Sequence, residues 1–249
     1  MKERIFANYF MHNRYKEYEE FLNTFLKENY KFLCVKEYEK LKLENEKHII
    51  LRHDIDSDIK IAKRLFEIER KLNIKSTYYF RLCTLNKKLI SEIHDYGSEV
   101  GYHYEELAQY CKDHKNFSKD FVNDNIDKMK DIMLHNINEF EKKAGIKIYS
   151  IASHGDFINR KIGITNKYLY DDDMKKRLNL IEAYDIEKMI NFRTADSMYP
   201  KFWSEDYKKA IETNSRNVLV LIHPRWWDKA PIIRTKLEFE RVIEGIRYI

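Results

Sequence analysis

A buried-strand sequence that ends in two carboxylates is the feature that most restricts the fold of this chain. Residues 49–56 read Ile-Ile-Leu-Arg-His-Asp-Ile-Asp, so an apolar run stops at Asp54 and Asp56, with His53 beside them. Continuous apolar sequence is typical of a strand that is buried on both faces, as in parallel sheets. Functional sites of α/β proteins lie at the carboxyl ends of such strands. The segment therefore predicts an α/β fold with a site at this strand end.

The spacing of the two carboxylates indicates a shared location. Alternate residues of a strand face the same side, so Asp54 and Asp56 are expected to converge on one point. Their mutual repulsion must be relieved by a proton or a metal ion. An N-cap is the simpler explanation, because an amphipathic run follows Ser57 and Asp58. We expect one of these two residues to cap that helix, but capping leaves the Arg-His-Asp cluster unexplained.

Length and composition favour one domain over residues 1–249. The 249 residues include only 6 Gly and 3 Pro, and no stretch has the composition of a linker. Residues 1–29 are expected to form a helical segment packed on that domain. The net charge of +5 comes from basic residues interleaved with acidic ones, which is not the pattern of a nucleic-acid-binding surface. Oligomeric state is not predicted.

Cysteine usage and hydropathy indicate a cytoplasmic location. Cys34, Cys83 and Cys111 are scattered without paired spacing, which suits free thiols in a reducing compartment. The N-terminal residues have no apolar segment of the kind found in secretory signals. No apolar run approaches the roughly 18 residues that a membrane span requires.

Hydrophobic periodicity predicts alternating helices and strands. Helices are expected at 15–28, 57–73, 87–96 and 117–143. A short strand is expected at 30–35, followed by strands at 49–56, 74–82, 99–104, 146–153, 180–183, 192–194 and 218–222. Counted from residues 49–56, about seven strands, several separated by clear helices, predict a parallel sheet or an α/β barrel.

Polar residues recur at the carboxyl ends of these strands. They are Asp54, Asp56, Arg81, His103, Glu105, His154, Asp196, His223 and Arg225. A lone histidine is usually an ordinary satisfied polar residue, but agreement among several strand ends favours a site at one barrel mouth. The remaining histidines that fall on predicted helices or loops are given no role: His12, His48, His94, His114 and His135.

The residue types at these ends suit metal-assisted hydrolysis. Asp and His together are ligands of catalytic divalent metals that keep open positions for water and substrate. Such an ion makes water more acidic and polarises a carbonyl oxygen. A nearby carboxylate can accept the proton of water, and an opposing histidine can protonate a leaving amine. The chain has no Gly-x-Ser-x-Gly, Walker or dinucleotide glycine motif.

Four motifs in order resemble a known family. They read Leu-Arg-His-Asp-Ile-Asp, Ser-Thr-Tyr-Tyr-Phe-Arg, Gly-Ser-Glu-Val-Gly-Tyr-His-Tyr-Glu and Leu-Ile-His-Pro-Arg-Trp-Trp. This set resembles the polysaccharide deacetylases, the NodB-homology group or carbohydrate esterase family 4. The resemblance is strongest to signal-less members associated with surface-polysaccharide synthesis, and it runs from about residue 30 to 227. It implies a distorted (β/α)7 barrel.

The resemblance also implies roles for individual residues. Asp54 matches the catalytic base, Asp56 and His103 match metal ligands, and His223 matches the general acid, with Asp196 as the acidic partner that orients it. Substrate contacts are expected from Arg81, Tyr104, Arg225 and Trp226, although packing explains Trp226 equally well. An aromatic-rich mouth is expected from Tyr102, Tyr104, Trp226 and Trp227.

One departure from the family concerns its second metal histidine. That residue normally lies four positions after the first, where this chain has Leu107. Glu105 or His154 could supply the missing ligand, and His154 stands in Ser-His-Gly where the family has Arg-Pro-Pro. A rebuilt site, a weaker site and a scaffold without metal all remain open. We favour a rebuilt site because the other matched residues are present.

The sequence thus predicts a hydrolase that uses a divalent metal ion, zinc by default, to remove an N-acyl group from a sugar. The expected substrate is a nucleotide- or lipid-linked precursor of a surface polysaccharide. One alternative is an enzyme that forms an amide, or transfers a group, on a sugar carboxylate. The other is a non-catalytic carbohydrate-binding protein that uses the aromatic mouth.

Overall fold

A curled sheet of parallel strands forms the centre of the molecule, for which a computed structural model describes residues 2–248. In chain order the strands are β1 Tyr30–Leu33, β2 Lys47–Ile55, β3 Thr77–Phe80, β4 Glu99–Tyr104, β5 Ser150–Ser153, β6 Ile181–Glu182, β7 Phe192–Ala195 and β8 Asn217–Ile222. The order in the sheet is β6-β5-β4-β3-β2-β8-β7, and β1 pairs with the first half of β2. The sheet curls into a half-barrel, so the predicted class, an α/β protein related to a distorted barrel, is confirmed.

Helices connect most of the strands. They are α1 Lys2–Ile5, α2 Tyr15–Lys27, α3 Ile59–Lys71, α4 Lys87–Tyr96, α5 Glu106–Asp113, α6 Lys119–Asp124, α7 Ile126–Ala144, α8 Phe157–Ile162, α9 Asp172–Leu178, α10 Lys208–Glu212 and α11 Pro231–Tyr248. The single helix predicted at 117–143 is two helices, because the backbone of Asn125 leaves the helical conformation between α6 and α7. No helix within residues 2–248 is long and apolar enough to cross a membrane.

Strand β2 is buried on both faces. On one face Leu51 packs with side chains of α2 and α3, and on the other Ile50 packs with residues of the sheet interior. Because side chains alternate along a strand, Arg52, Asp54 and Asp56 fall on the same side as Ile50. The alternation therefore delivers charged groups to the interior side of the barrel mouth.

The opposite face of β2 carries a buried polar cluster. Glu69 of α3 has no exposed surface and accepts hydrogen bonds from the hydroxyls of Tyr18, Ser76 and Tyr78. The Nε2 atom of His53 lies 2.7 Å from Glu69 Oε1, and its ring stacks on Tyr78 with centroids 4.3 Å apart. Burial alone would raise the pKa of Glu69, but His53 and the hydroxyl donors lower it. The cluster ties β2 to α2, α3 and β3.

A second buried ion pair attaches α11 to the mouth. Asp58 occupies the N-cap position of α3 with φ of 60°, so the expected capping position is found, but its side chain makes no capping hydrogen bond. The carboxylate instead pairs with the fully buried Arg234 of α11. Arg234 also donates from Nη2 to the carbonyl oxygen of Arg225 at 2.7 Å.

Glycine at position 101 lets two strands pack closely around a tyrosine ring. A Cβ atom on Gly101 would lie 2.4 Å from Cε1 of Tyr79 and 2.6 Å from the carbonyl oxygen of Ser150. The Tyr79 hydroxyl meets Ser150 Oγ at 2.7 Å, and the ring is fully buried. Any side chain at 101 would displace this ring or the backbone of β5.

We expect Gly101→Ala to lower the free energy of unfolding by about 1–3 kcal/mol, the usual cost of overpacking a core. Gly155→Ala is the matched control, since a Cβ there meets no atom within 4 Å and should change stability by less than about 0.5 kcal/mol. Urea unfolding of both variants measures the difference. Equal stabilities would contradict the close packing described for β4.

Candidate metal and catalytic centre

Residues from four strand ends meet at the barrel mouth. Asp54 and Asp56 come from the end of β2, His103 from β4 and His154 from just after β5. The Oδ1 atom of Asp56 lies 3.4 Å from Nε2 of His103 and 3.4 Å from Nε2 of His154. Oδ2 of Asp54 lies 3.5 Å from Nε2 of His103. His223, which follows β8, completes the group.

The ring of His103 is fixed by its second nitrogen. Its Nδ1 lies 2.9 Å from the carbonyl oxygen of Ala152, so Nδ1 carries the proton and donates it. The Nε2 atom then faces Asp56. A backbone carbonyl that binds the remote nitrogen in this way is the usual support of a metal-ligating histidine.

Asp56, His103 and His154 fit the donor set of a divalent ion. The candidate ligand atoms of all three lie within 4.8 Å of one another. Oδ1 of Asp56 is buried and has no hydrogen-bond partner, although the residue as a whole is partly exposed. A tetrahedral ion with bonds of about 2.1 Å has ligand atoms about 3.4 Å apart, which agrees with both measured separations. Burial would raise the pKa of Asp56, but the two histidines lower it.

Glu105 lies on the far side of His154 from Asp56. Its carboxylate accepts two hydrogen bonds from Arg81, at 2.9 Å and 2.6 Å, and lies 3.4 Å from His154 Nδ1. Against the effect of burial, His154 and Arg81 lower the pKa of Glu105 to about 2. Burial also opposes the charged form of His154, yet Asp56 and Glu105 raise its pKa. Of the two alternatives for the third ligand, this geometry favours His154.

Leu107 occupies the position where the resembled family has its second metal histidine. Its side chain has no exposed surface and belongs to the main hydrophobic core. In the first turn of α5, the side chain of Leu107 therefore points into the core and away from the mouth. His154, from the neighbouring strand, faces the space beside Asp56 instead.

Asp54 is held by an arginine of its own strand. Arg52 donates from Nε to Oδ1 and from Nη2 to Oδ2, both at 2.8 Å, and both residues are buried. The guanidinium lies over the ring of Tyr184, 4.4 Å from its centroid. Burial would raise the pKa of Asp54, but Arg52 lowers it, so the carboxylate stays ionised. Sequence reasoning missed Arg52, although its two-residue spacing from Asp54 was the available signal.

His223 is part of a hydrogen-bonded group with Asp196 and Trp227. Asp196 Oδ1 lies 2.8 Å from His223 Nδ1, and its Oδ2 accepts from the His223 backbone N–H at 2.7 Å. Trp227 donates from Nε1 to Oδ2 at 2.8 Å. Burial would lower the pKa of His223, but the neighbouring carboxylates, Asp196 foremost, raise it to about 9. At neutral pH this histidine is therefore protonated.

The aromatic residues predicted at the mouth are mostly buried. Tyr102, Tyr104 and Trp227 have almost no exposed surface, and the Tyr104 hydroxyl lies 3.4 Å from Glu182. The expectation that Tyr104 contacts substrate is therefore wrong, because it faces the core. Trp226 is partly exposed.

Arg81 and Arg225, the two other predicted substrate contacts, border a cavity at the mouth together with Asp56 and His154. The residues are thus close to the candidate ligands. Contact with a substrate stays a prediction for both arginines and for Trp226.

Comparison with known proteins found similarity only among solved structures. No protein-family model matches the chain, and no curated protein matches it.

The similar solved structures are distant. A CE4 family pseudoenzyme from Bacillus anthracis is 16% identical with a TM-score of 0.44, over 79% of this chain and 62% of that chain. The peptidoglycan deacetylase PdaC from Bacillus subtilis is 14% identical with a TM-score of 0.43, over 79% and 85%. A family 4 acetyl xylan esterase from Clostridium thermocellum, in complex with a cobalt ion, is 13% identical with a TM-score of 0.42, over 80% and 83%.

This chain spans less than two thirds of the length of the pseudoenzyme, and at these identities and TM-scores the likeness says nothing about the roles of residues. The pseudoenzyme and the acetyl xylan esterase are both family 4 proteins.

Proposed function

We propose that this protein is a divalent-metal-dependent hydrolase that removes an N-acyl group, acetyl in the simplest case, from a sugar. The observation that carries the proposal is the buried, unpartnered Oδ1 of Asp56, which faces two imidazole nitrogens at 3.4 Å. An ionised carboxylate and a protonated histidine stand beside it. This combination supplies a metal site, a base and an acid.

Asp56, His103 and His154 would hold the ion through one oxygen and two nitrogens. A divalent ion bound by such ligands, zinc by default, polarises a carbonyl group and makes water more acidic. Ala152 holds the remote ring nitrogen of His103 by a hydrogen bond, and the carboxylate of Glu105 lies 3.4 Å from that of His154, near enough to orient the ring by its charge. Both histidines then present Nε2 to the same point.

Asp54 is the proposed general base. Arg52 keeps it ionised, so it can accept a proton from the water that attacks the acyl carbon. In this step an O–H bond of water breaks, and the proton moves to a carboxylate oxygen of Asp54. The water oxygen bonds to the acyl carbon as the π bond of the carbonyl breaks and its electron pair moves to the carbonyl oxygen. Asp54 Oδ2 lies 3.5 Å from His103 Nε2, so the proposed base is next to one of the proposed metal ligands.

His223 is the proposed general acid. Its Nδ1 proton is engaged by Asp196, so the proton available to the substrate is the one on Nε2. As the bond between the acyl carbon and nitrogen breaks, this proton passes to the departing amine. The products are an amino sugar and a carboxylic acid. Asp196 and Trp227 hold the imidazole in the orientation that this transfer needs.

The substrate context is proposed on the motif resemblance: a nucleotide- or lipid-linked precursor used in surface-polysaccharide synthesis, in the cytoplasm. Amide formation or transfer on a sugar carboxylate would use the same groups and differs in its products. A purely binding protein would need neither a buried ionised Asp54 nor a protonated His223 beside it. Perturbed pairs of this kind are typical of catalytic sites, so the hydrolase is favoured over the binding protein.

We expect about one divalent ion per purified chain, and its loss in His103→Ala and in His154→Ala, because each change removes a proposed ligand. Glu105→Gln should keep the ion with about 10–100-fold weaker affinity, the usual effect of removing a group that orients a ligand. His135→Ala, on the exposed face of α7, is the control. Elemental analysis measures all four variants. Full metal content in His154→Ala would remove this residue from the ligand set.

Asp54→Asn and His223→Gln should each reduce turnover about 10²–10⁴-fold, because each removes a proton-transfer group. Release of the free acid and amine from N-acetylated nucleotide sugars and sugar phosphates is the measurement. The exposed Asp95→Asn on α4 serves as the control. Turnover near the wild-type level in either active-site variant would contradict the mechanism. A metal-loaded wild type that cleaves no N-acyl substrate would favour the binding or transfer function.

The proposed acid sets the alkaline limit of activity. His223 must carry its proton, so kcat/KM should fall as the pH rises through about 9, the raised pKa of this residue. Asp196→Asn removes the carboxylate that raises the pKa most, so the fall should move from about pH 9 towards about 6.5, the ordinary value for histidine. A pH profile of both proteins tests this. An unchanged alkaline limb in Asp196→Asn would exclude His223 as the titrating acid.

A further inference from the structure

A cavity of about 290 Å³ opens beside the proposed metal ligands. Asp56 and His154 form part of its wall, and residues of α8 and α11 form another part. The basic residues that line it come from separate elements and are Arg4, Arg81, Lys112, Arg160, Arg225 and Arg241. They face four acidic residues, namely Asp56, Asp156, Glu240 and Glu244. The lining therefore has an excess of positive charge.

Three of the six basic residues already have carboxylate partners. Arg4 pairs with Glu238 at 2.6 Å, and Lys112 pairs with Asp156 at 2.6 Å. Arg81 is bound by Glu105, as described above. These contacts neutralise their charges inside the protein. The excess charge of the cavity therefore comes from the other three residues.

Arg160, Arg225 and Arg241 have no carboxylate oxygen within 4.0 Å among residues 2–248. They belong to α8, the segment after β8 and α11 respectively. Arg160 and Arg241 are exposed, so both can turn towards a bound group. Three guanidinium groups from three elements thus border one cavity, and none of them is paired with a carboxylate of residues 2–248.

Arg225 carries the more specific observation. Its Nε is buried and has no hydrogen-bond partner. The guanidinium lies over the ring of Trp226, 4.5 Å from the centroid, and the carbonyl oxygen of Arg225 is held by Arg234. A fixed donor that is shielded from water and lacks an acceptor is unfavourable unless a ligand supplies one.

We infer that this cavity binds a phosphoryl group of the substrate, through Arg160, Arg225 and Arg241. The inference rests on the proposed function, since the cavity shares Asp56 and His154 with the proposed metal site. Guanidinium groups match the geometry of phosphate oxygens. A phosphoryl group offers more acceptor oxygens than a carboxylate, which suits three donors from separate elements. A sugar joined to that group would lie over the mouth.

The binding of inorganic pyrophosphate tests this site without any turnover. Calorimetry would compare the metal-loaded wild type with the double variant Arg160→Gln and Arg241→Gln. We expect the dissociation constant to rise about tenfold or more, because hydrogen bonds between charged groups are lost. Any contact of pyrophosphate with the metal ion is common to both proteins and cancels in the comparison.

The control is the double variant Arg64→Gln and Arg70→Gln, which makes the same charge change at two exposed arginines of α3. Its dissociation constant should stay within about twofold of the wild type, since surface charges at a distance are largely screened. Equal affinity in all three proteins, or no binding to the wild type, would overturn the phosphoryl site. Neither result would bear on the N-acyl hydrolase. Loss of binding in a protein that cleaves no N-acyl sugar would keep the site and remove the proposed reaction.

Two further titrations identify the source of the phosphoryl group. One uses UDP-N-acetylglucosamine, and the other uses a polyprenyl-diphosphate-linked N-acetylglucosamine in detergent micelles. The compound that carries the correct kind of phosphoryl group should have a lower dissociation constant than free N-acetylglucosamine. This difference in affinity should disappear in the double variant Arg160→Gln and Arg241→Gln. If neither compound binds more tightly than the free sugar, the inference is wrong.

Discussion

The rest of the site depends on the crowding of four carboxylates at one end of a barrel. Three of them have a fixed cationic partner: Asp54 has Arg52, Glu105 has Arg81, and Asp196 has His223. Asp56 alone faces two imidazole nitrogens and leaves a buried oxygen without a hydrogen bond. Like charges in one small space must be compensated. Asp54, Glu105 and Asp196 are therefore each paired with one side chain, whereas Asp56 is shared between the imidazoles of His103 and His154.

Strand β2 holds this arrangement because it is fixed on both faces. The pair between Arg52 and Asp54 lies on the interior face, and the cluster of His53 with Glu69 lies on the exterior face. Both sets are buried, and together they fix three consecutive residues of β2, namely Arg52, His53 and Asp54. Side chains that carry catalysis need rigid support of this kind, since small displacements are costly to function. The buried polar groups of β2 thus contribute to positioning as well as to stability.

Much of the fold followed from sequence patterns, and the polar strand ends pointed to the site. The sequence could not predict which of these residues contact one another in the folded chain. The pattern left Glu105 and His154 as equal candidates, because only the pairing of β4 with β5 brings His154 opposite His103. Trp227 was expected to stack on sugars, yet its direction after the turn at β8 aims its N–H at Asp196. Tyr104 failed as a substrate contact because alternation in β4 sends it to the face opposite His103.

The ring of Tyr79 has a consequence for the shape of the space above it. It lies across Gly101 and is level with Asp54 in the sheet, so the ring belongs to the interior side of the sheet next to the proposed base. The guanidinium of Arg52 lies over the ring of Tyr184 as well, 4.4 Å from its centroid. Two aromatic rings thus line the space around the pair of Arg52 and Asp54. Under the proposed function, these rings would limit how far an acyl chain extends past Asp54 into the interior of the sheet, so a short acyl group would fit better than a long one.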